Sequence, residues 1–388
     1  MPIGTIIHNR QTQYTDPYTG RAITRLTMPD HTSHHMYFYN RMISADGKKL
    51  LYSAKLNGVR QLYLMDIPTG DAVQLTEEGG RLDDYGGVLG ADDRTVYYQQ
   101  DAKIWRLDLA TLTRQCLYAA APGWDCNDWG MSEDNRFITI AQTRRDTRPD
   151  LTGKKGWEFF PLTCAAKPLC RIVFVNTETG RSNVVVEDRC WFGHAQLRPH
   201  DPDTILFCHE GPYDMIDARL WLVQSDGTNY RCVREQPSDL IITHEFWQPD
   251  GEAFVYVHRK GEGDAQESIR KMRPGDLKEE IVMPCLPYAH FICDRQQRYM
   301  VGDCQGKDTP IHLQAAAGRS EEVPNDFIYL IDVAHKTETP LCYHGTSWTA
   351  AHGNPQDAHP HPCFSPDGKK VVFTSDKDGK PCIYQIVL

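Results

Sequence analysis

Gln356, His359 and His361 fall in one short run, Gln356-Asp357-Ala358-His359-Pro360-His361-Pro362. A His-x-His pair in extended chain sends both imidazoles to the same side, because side chains alternate with a period of two. Two imidazoles and a neutral amide around a shared point suit a borderline divalent cation such as manganese, iron, nickel or zinc better than they suit a structural thiolate site. The bland alternative is a polar loop that happens to carry histidines. Choosing between them depends on the elements that would position these side chains.

Directly after the run comes Cys363-Phe364-Ser365-Pro366-Asp367-Gly368-Lys369-Lys370-Val371-Val372-Phe373, a strand, a tight turn and a second strand. Related segments centre on Asp46, Asp92, Asp134, Asp201, Asp250 and Asp294. The copies at Asp46, Asp250 and Asp367 are clearest, since Asp-Gly between apolar runs is the strongest short-range hairpin signal. The Asp201 and Asp294 copies are weak. A second hairpin follows most copies, as in Gln61 to Asp66 followed by Ala72 to Thr76, and again from Ile104 to Leu117, Arg171 to Val186, Leu220 to Val233 and Phe327 to Cys342. Four strands per repeat, at a period of roughly 40 to 50 residues, is the pattern of a β-propeller. The expected fold is all-β: one seven-bladed β-propeller domain spanning residues 1–388. The last repeat has three strands, ending at Cys382 to Leu388, and the segment Asp16 to Thr27 reads as its fourth. An N-terminal strand completing the C-terminal blade closes the ring and covers two edges.

Composition agrees with this reading and excludes others. No long amphipathic helix pattern is visible, Gly and Pro punctuate the chain at turn-like intervals, and no stretch is apolar enough for a membrane span. The 13 cysteines are odd in number, and several lie in expected strands, which favours buried free thiols over a disulfide framework and points to a cytoplasmic protein. A net charge of −10 with dispersed Lys and Arg argues against a nucleic-acid partner.

In a propeller, the entry to each innermost strand and the loop joining strands two and three share one rim of the central channel. His34, His194, His244, His290, His359 and His361 all fall at such entries, and the stretch Cys208 to Arg219 is the matching loop of the fourth repeat. The expected site is therefore a cation bound by imidazoles, beside a candidate base, His244, and a fixed cation, Arg219. Arg219 reads equally as an ion-pair partner. His209 is open to three roles: orienting substrate, stabilising the loop or serving as an alternative base. Trp129, Trp191 and Trp247 are placed to stack on sugar rings or to pack between blades. Insertions at Thr143 to Leu169 and Asp303 to Asn325 would wall a cleft.

Several of these stretches resemble the oligogalacturonate lyases, polysaccharide lyase family 22: Tyr37-Phe38-Tyr39 with Asp46 to Leu51, Cys208-His209-Glu210-Gly211-Pro212 through Asp217 to Val223, Thr243-His244-Glu245-Phe246-Trp247, and His359-Pro360-His361-Pro362. The resemblance spans nearly the whole chain. It implies a seven-bladed propeller that cleaves short oligogalacturonides by β-elimination with the help of Mn2+. It further implies metal ligands His290, Gln356, His359 and His361, a proton-abstracting base His244 and a substrate-cleft arginine, Arg219. Apart from the resemblance, His209 and Trp247 are also expected on the substrate side. Departures around Ala289-His290-Phe291 and in Arg259 to Asp264 leave a related uronide open as the substrate. Two further readings stay open beside it, a non-catalytic binding scaffold and a metal-dependent hydrolase.

Overall fold

A computed structural model of the chain describes residues 1–56, 58–77, 79–260, 267–306, 308–349, 356 and 358–388. Of the divergent segment at 259–264, residues 261–264 lie outside the described residues. Strands fill seven sheets, making the fold a seven-bladed β-propeller. Two compact units divide the described chain: Met1–Leu89, Leu109–Leu112 and Cys285–Leu388 form the first, and Gly90–Asp108 with Thr113–Pro284 the second.

The first unit holds blades 1, 6 and 7. Blade 1 runs Thr32–His35, Lys49–Leu56, Val59–Asp66 and Asp71–Gln74, with Ile6–His8 added at its outer edge. Blade 6 runs Tyr288–Cys293, Tyr299–Cys304, Phe327–Asp332 and Thr337–Tyr343. Blade 7 runs Cys363–Phe364, Lys370–Ser375 and Cys382–Val387, and Ala22–Arg25 then pairs antiparallel with that last strand, Ile23 opposite Ile386. Thr12–Thr15 adds a fifth strand, which the repeat pattern did not foresee. The second unit holds blade 3 (Trp124–Met131, Phe137–Arg144, Leu169–Asn176, Ser182–Arg189) and blade 4 (Phe192–Arg198, Asp201–His209, Leu220–Gln224, Arg231–Cys232). It also holds blade 5, built from Leu240–Trp247, Phe254–Lys260, Glu267–Met272 and Glu279–Cys285, except for the terminal Cys285. Of the remaining blade, Leu82–Leu89 belongs to the first unit, and Thr95–Gln100, Lys103–Asp108 and Arg114–Ala119 to the second.

Each expected Asp turn joins a blade's first two strands, and the chemistry repeats. Asp46 Oδ1 accepts from Ser44 Oγ (2.6 Å) and Lys48 N (3.0 Å); Asp134 and Asp367 do the same with Ser132 and Arg136, and with Ser365 and Lys369. The residue after Asp turns left-handed, at φ 70° for Gly47, 69° for Gly251 and 68° for Gly368. Glycine takes that conformation without steric cost. Asp93, Asn135 and Gln297 take it elsewhere, at φ 56°, 62° and 57°.

Middle strands are sandwiched and buried on both faces, so they read as short continuous apolar runs, whereas outer strands such as Ser182–Arg189 are largely exposed. In the first unit Ile23, Val301, Ile328, Phe373 and Ile386 share one core cluster across blades 6 and 7. In the second, Ile172, Phe192, Ile205 and Phe207 tie blade 3 to blade 4. The two long insertions fall between second and third strands and carry short helices, Phe159–Ala165 and Ile311–Ala316. All thirteen cysteines are free thiols. Among the described residues, no helix is long and apolar enough to cross a membrane.

Candidate metal centre and charged cluster

Within the first unit, His290, His359 and His361 converge, with one potential ligand atom from each lying within 4.8 Å of the others. Their elements explain how. A register shift between Tyr288 and His290 sets His290 opposite Asp303 on the neighbouring strand, and such bulges re-aim side chains beside functional sites. His361 sits at φ 48°, so the chain turns sharply just before blade 7 begins. His359 and His361 therefore do not form the simple extended pair the His-x-His spacing suggests, although their rings are only 5.7 Å apart.

Burial keeps two of these imidazoles neutral. His361 is fully buried and held well below the usual histidine range, first by desolvation and then by His290, His359, His35 and His34 around it. His359 is lowered to about 3 by burial and by His290. Both ring nitrogens of His361 are buried without a hydrogen-bond partner among the described residues. A buried imidazole left so is costly unless something coordinates it. Aromatic rings enclose it: Tyr37 at 5.1 Å, Phe38 at 5.9 Å and Tyr85 at 5.3 Å between centroids. Convergent imidazole nitrogens shielded by aromatic rings fit a divalent cation. Gln356 reaches this cluster through its backbone, its carbonyl accepting from Tyr85 Oη (2.6 Å) and His359 N (3.1 Å).

Two supports of the cluster were not visible to sequence reasoning. Asp303, fully buried, accepts from His290 N (2.5 Å) and contacts His290 Nδ1 (2.8 Å). Trp348 packs edge-on to His359 at 5.0 Å while its indole N–H donates to Asp326 Oδ1 at 3.1 Å. The available signal was a carboxylate in the otherwise apolar strand Tyr299–Cys304, since Asp is rarely buried without a partner.

In the second unit the histidines lie inside the first strands rather than ahead of them, as the repeat pattern had them. His194 (φ 51°) and His244 (φ 59°) occupy register breaks of Phe192–Arg198 and Leu240–Trp247. His244 is half-buried. The residue after it, Glu245, turns inward with a fully buried side chain and receives Arg219 Nε at 2.8 Å and Nη2 at 3.3 Å. Arg219 Nη1 donates to Glu210 Oε2 at 3.3 Å, and His194 lies against both carboxylates, at 3.2 Å from Glu210 and 3.5 Å from Glu245. Burial works against the charge on Glu210, yet Arg219 and His194 outweigh it and hold its carboxyl below the ordinary value.

This revises the expected open cation. Arg219 is 5 % exposed, and three of its N–H groups go to Glu210 and Glu245. Of the five that a guanidinium carries, two make no hydrogen bond among the described residues. Trp247 is corrected outright: only 7 % exposed, it belongs to a core cluster with Leu206, Leu222, Phe254 and Met272, so it packs rather than lines a cleft. Trp129 is likewise buried, and Trp191 packs on Phe160 at 5.3 Å. His209 is corrected too. Its ring stacks on Trp221 (4.3 Å) and Phe192 (5.3 Å), and desolvation lowers it to about 4. Packing of this kind suits a loop-stabilising role.

Known proteins resemble this chain over its whole length. A family model described as oligogalacturonate lyase covers residues 1–388. An oligogalacturonide lyase of Pectobacterium atrosepticum is 36% identical over 375 residues, 96% of this chain and 94% of that protein. An oligogalacturonate lyase of Dickeya dadantii is 35% identical over the same shares of the two chains. Among solved structures, an oligogalacturonate lyase in complex with manganese superposes with a TM-score of 0.90 at 36% identity, covering 100% of this chain and 98% of that one. An oligogalacturonate lyase from Vibrio parahaemolyticus gives 0.89 at the same identity and coverage.

Proposed function

This chain belongs to the oligogalacturonate lyase family, and on that premise we propose that it cleaves short galacturonides by β-elimination to a 4,5-unsaturated uronide. The observation that carries the proposal is the convergence of His290, His359 and His361 with both nitrogens of His361 unmatched. We assign His290, Gln356, His359 and His361 as ligands of a divalent cation, Mn2+ by analogy with the solved relative bound to manganese. When bound, the ion supplies Lewis-acid neutralisation of a uronate carboxylate.

The demand on the protein follows from the substrate. The C5 proton lies alpha to a carboxylate, and its removal adds negative charge to a group already anionic. His244 is the proposed base and takes that proton on its imidazole. Its bulge holds it one residue from Glu245, and Glu245 holds Arg219. The two remaining Arg219 donors are assigned to a uronate carboxylate through charge-assisted hydrogen bonds. Hydrolysis by paired carboxylates is disfavoured, because Glu210 and Glu245 are committed to Arg219.

The unbroken family match over residues 1–388 supports a single propeller domain. Thirteen free thiols support a cytoplasmic location, and the charge of −10 supports a protein without nucleic-acid partners. The deciding experiment incubates the protein with di- and trigalacturonate, with and without Mn2+, and follows the ultraviolet absorbance of the conjugated product. Absorbing product is expected only with metal. Saturated product would replace elimination by hydrolysis, and cleavage confined to another uronide would reassign the substrate.

A further inference from the structure

We propose that Asp303 is a positioning residue that presets the metal centre, fixing the ring of one ligand and the backbone of another through a single carboxylate. The inference deepens the metal assignment and rests on it. Asp303 sits on Tyr299–Cys304 directly opposite His290, where the register shift of the facing strand brings the two side chains together. Its Oδ1 accepts from the His290 backbone N–H at 2.5 Å. Its Oδ2 meets His290 Nδ1 at 2.8 Å and accepts from the His361 backbone N–H at 3.2 Å. No part of the side chain is exposed.

A carboxylate has only acceptors, so the nitrogen of His290 that faces it must carry the proton. That puts the lone pair on Nε2, on the side of the ring away from Asp303, and makes the ring a better ligand. The contact to His361 does different work. His361 holds a left-handed backbone at φ 48°, a conformation costly for a residue with a side chain unless its surroundings impose it. One of the groups imposing it is Asp303, whose carboxylate anchors the His361 amide. Blade 6 thus orients its own ligand and the one that enters blade 7 through the same two oxygens. Asn in this place would keep one acceptor and turn an N–H2 group toward one of the three donors.

The test uses the full-length protein and Mn2+ alone. Binding is titrated by the electron paramagnetic resonance signal of free Mn2+ for the wild type and Asp303→Asn, beside thermal unfolding of both metal-free proteins. A loss of affinity of about 10- to 100-fold is expected in a variant that still folds. Wild-type affinity in Asp303→Asn would overturn the proposal, whereas absence of Mn2+ binding by the wild type would remove the metal assignment beneath it. If Asp303→Asn does not fold, the wild type decides alone: long-range nitrogen–proton correlation spectra of the metal-free protein must show His290 protonated on Nδ1. A proton on Nε2 instead would sink the idea.

Discussion

Glu245 directly follows His244 in the chain and receives Arg219 Nε at 2.8 Å, so the proposed base and the proposed substrate-binding cation are anchored through adjacent residues of one bulged strand. The pair is almost wholly buried, with side-chain exposures of 6% and 0%. Removing the Glu245 charge leaves the buried Arg219 only the Glu210 carboxylate at 3.3 Å, and breaking such a buried pair costs on the order of 3 kcal/mol. Glu245→Gln is therefore expected to lower the midpoint of chemical unfolding. It should also cut kcat by about 100-fold, the scale of loss for a misplaced reacting group, while Mn2+ affinity stays as in the wild type. An unchanged kcat in a destabilised protein would reduce Glu245 to a packing element.

Base and metal ligand separate by what each loss removes. His244→Ala should lose two to four orders of magnitude of turnover, roughly the contribution of a general base, and still bind Mn2+. His361→Ala should lose both, since it removes an imidazole that lies among the ligand atoms and has no hydrogen-bond partner on its ring among the described residues. Elemental analysis of metal content beside product absorbance checks the pair. Full activity in metal-stripped His361→Ala would end the assignment.

How much of this the chain discloses depends on the range over which each feature is determined. The Asp46, Asp250 and Asp367 turns were clear because glycine follows the aspartate and turns left-handed there. The Asp294 turn was faint because Gln297 does that work, several residues on and without glycine's signature. His290, His359 and His361 came from the family resemblance and from their repeated places along the chain. The bulges that aim His194, His244 and His290 left no local mark, since a bulge is a mismatch between two strands and belongs to neither sequence alone. Asp303 went unseen for the same reason. Trp247 and His209 are expected on the substrate side yet lie buried against other rings, because an aromatic near a functional loop looks alike in sequence whether it faces outward or packs inward.

Trp247 accordingly has a structural role that a substitution can separate from binding. Its ring meets Phe254 at 5.6 Å, edge to face, and the Arg198 guanidinium lies 5.8 Å from its centre. Trp247→Ala should cost about 3–5 kcal/mol of stability, read from urea unfolding. KM for digalacturonate should not change. A raised KM at unaltered stability would return Trp247 to the substrate wall.

His209 gives a prediction in pH. Burial lowers its imidazole to about 4, against an ordinary value of 6.5. Above pH 6.5 the ring is neutral in both folded and unfolded chains and contributes no pH dependence. As pH falls from 6.5 toward 4, the unfolded chain takes up a proton that the native box of Trp221, Phe192 and Tyr230 refuses, so stability is lost across that window and the loss levels off below it. The full swing is about 3 kcal/mol. In the metal-free protein, His209→Phe should therefore lose about 3 kcal/mol less than the wild type between pH 7 and pH 4, measured by urea unfolding at a series of pH values. Equal losses in the two proteins would mean that the ring is already protonated or solvated in the native state. In that case the aromatic box is not what holds it.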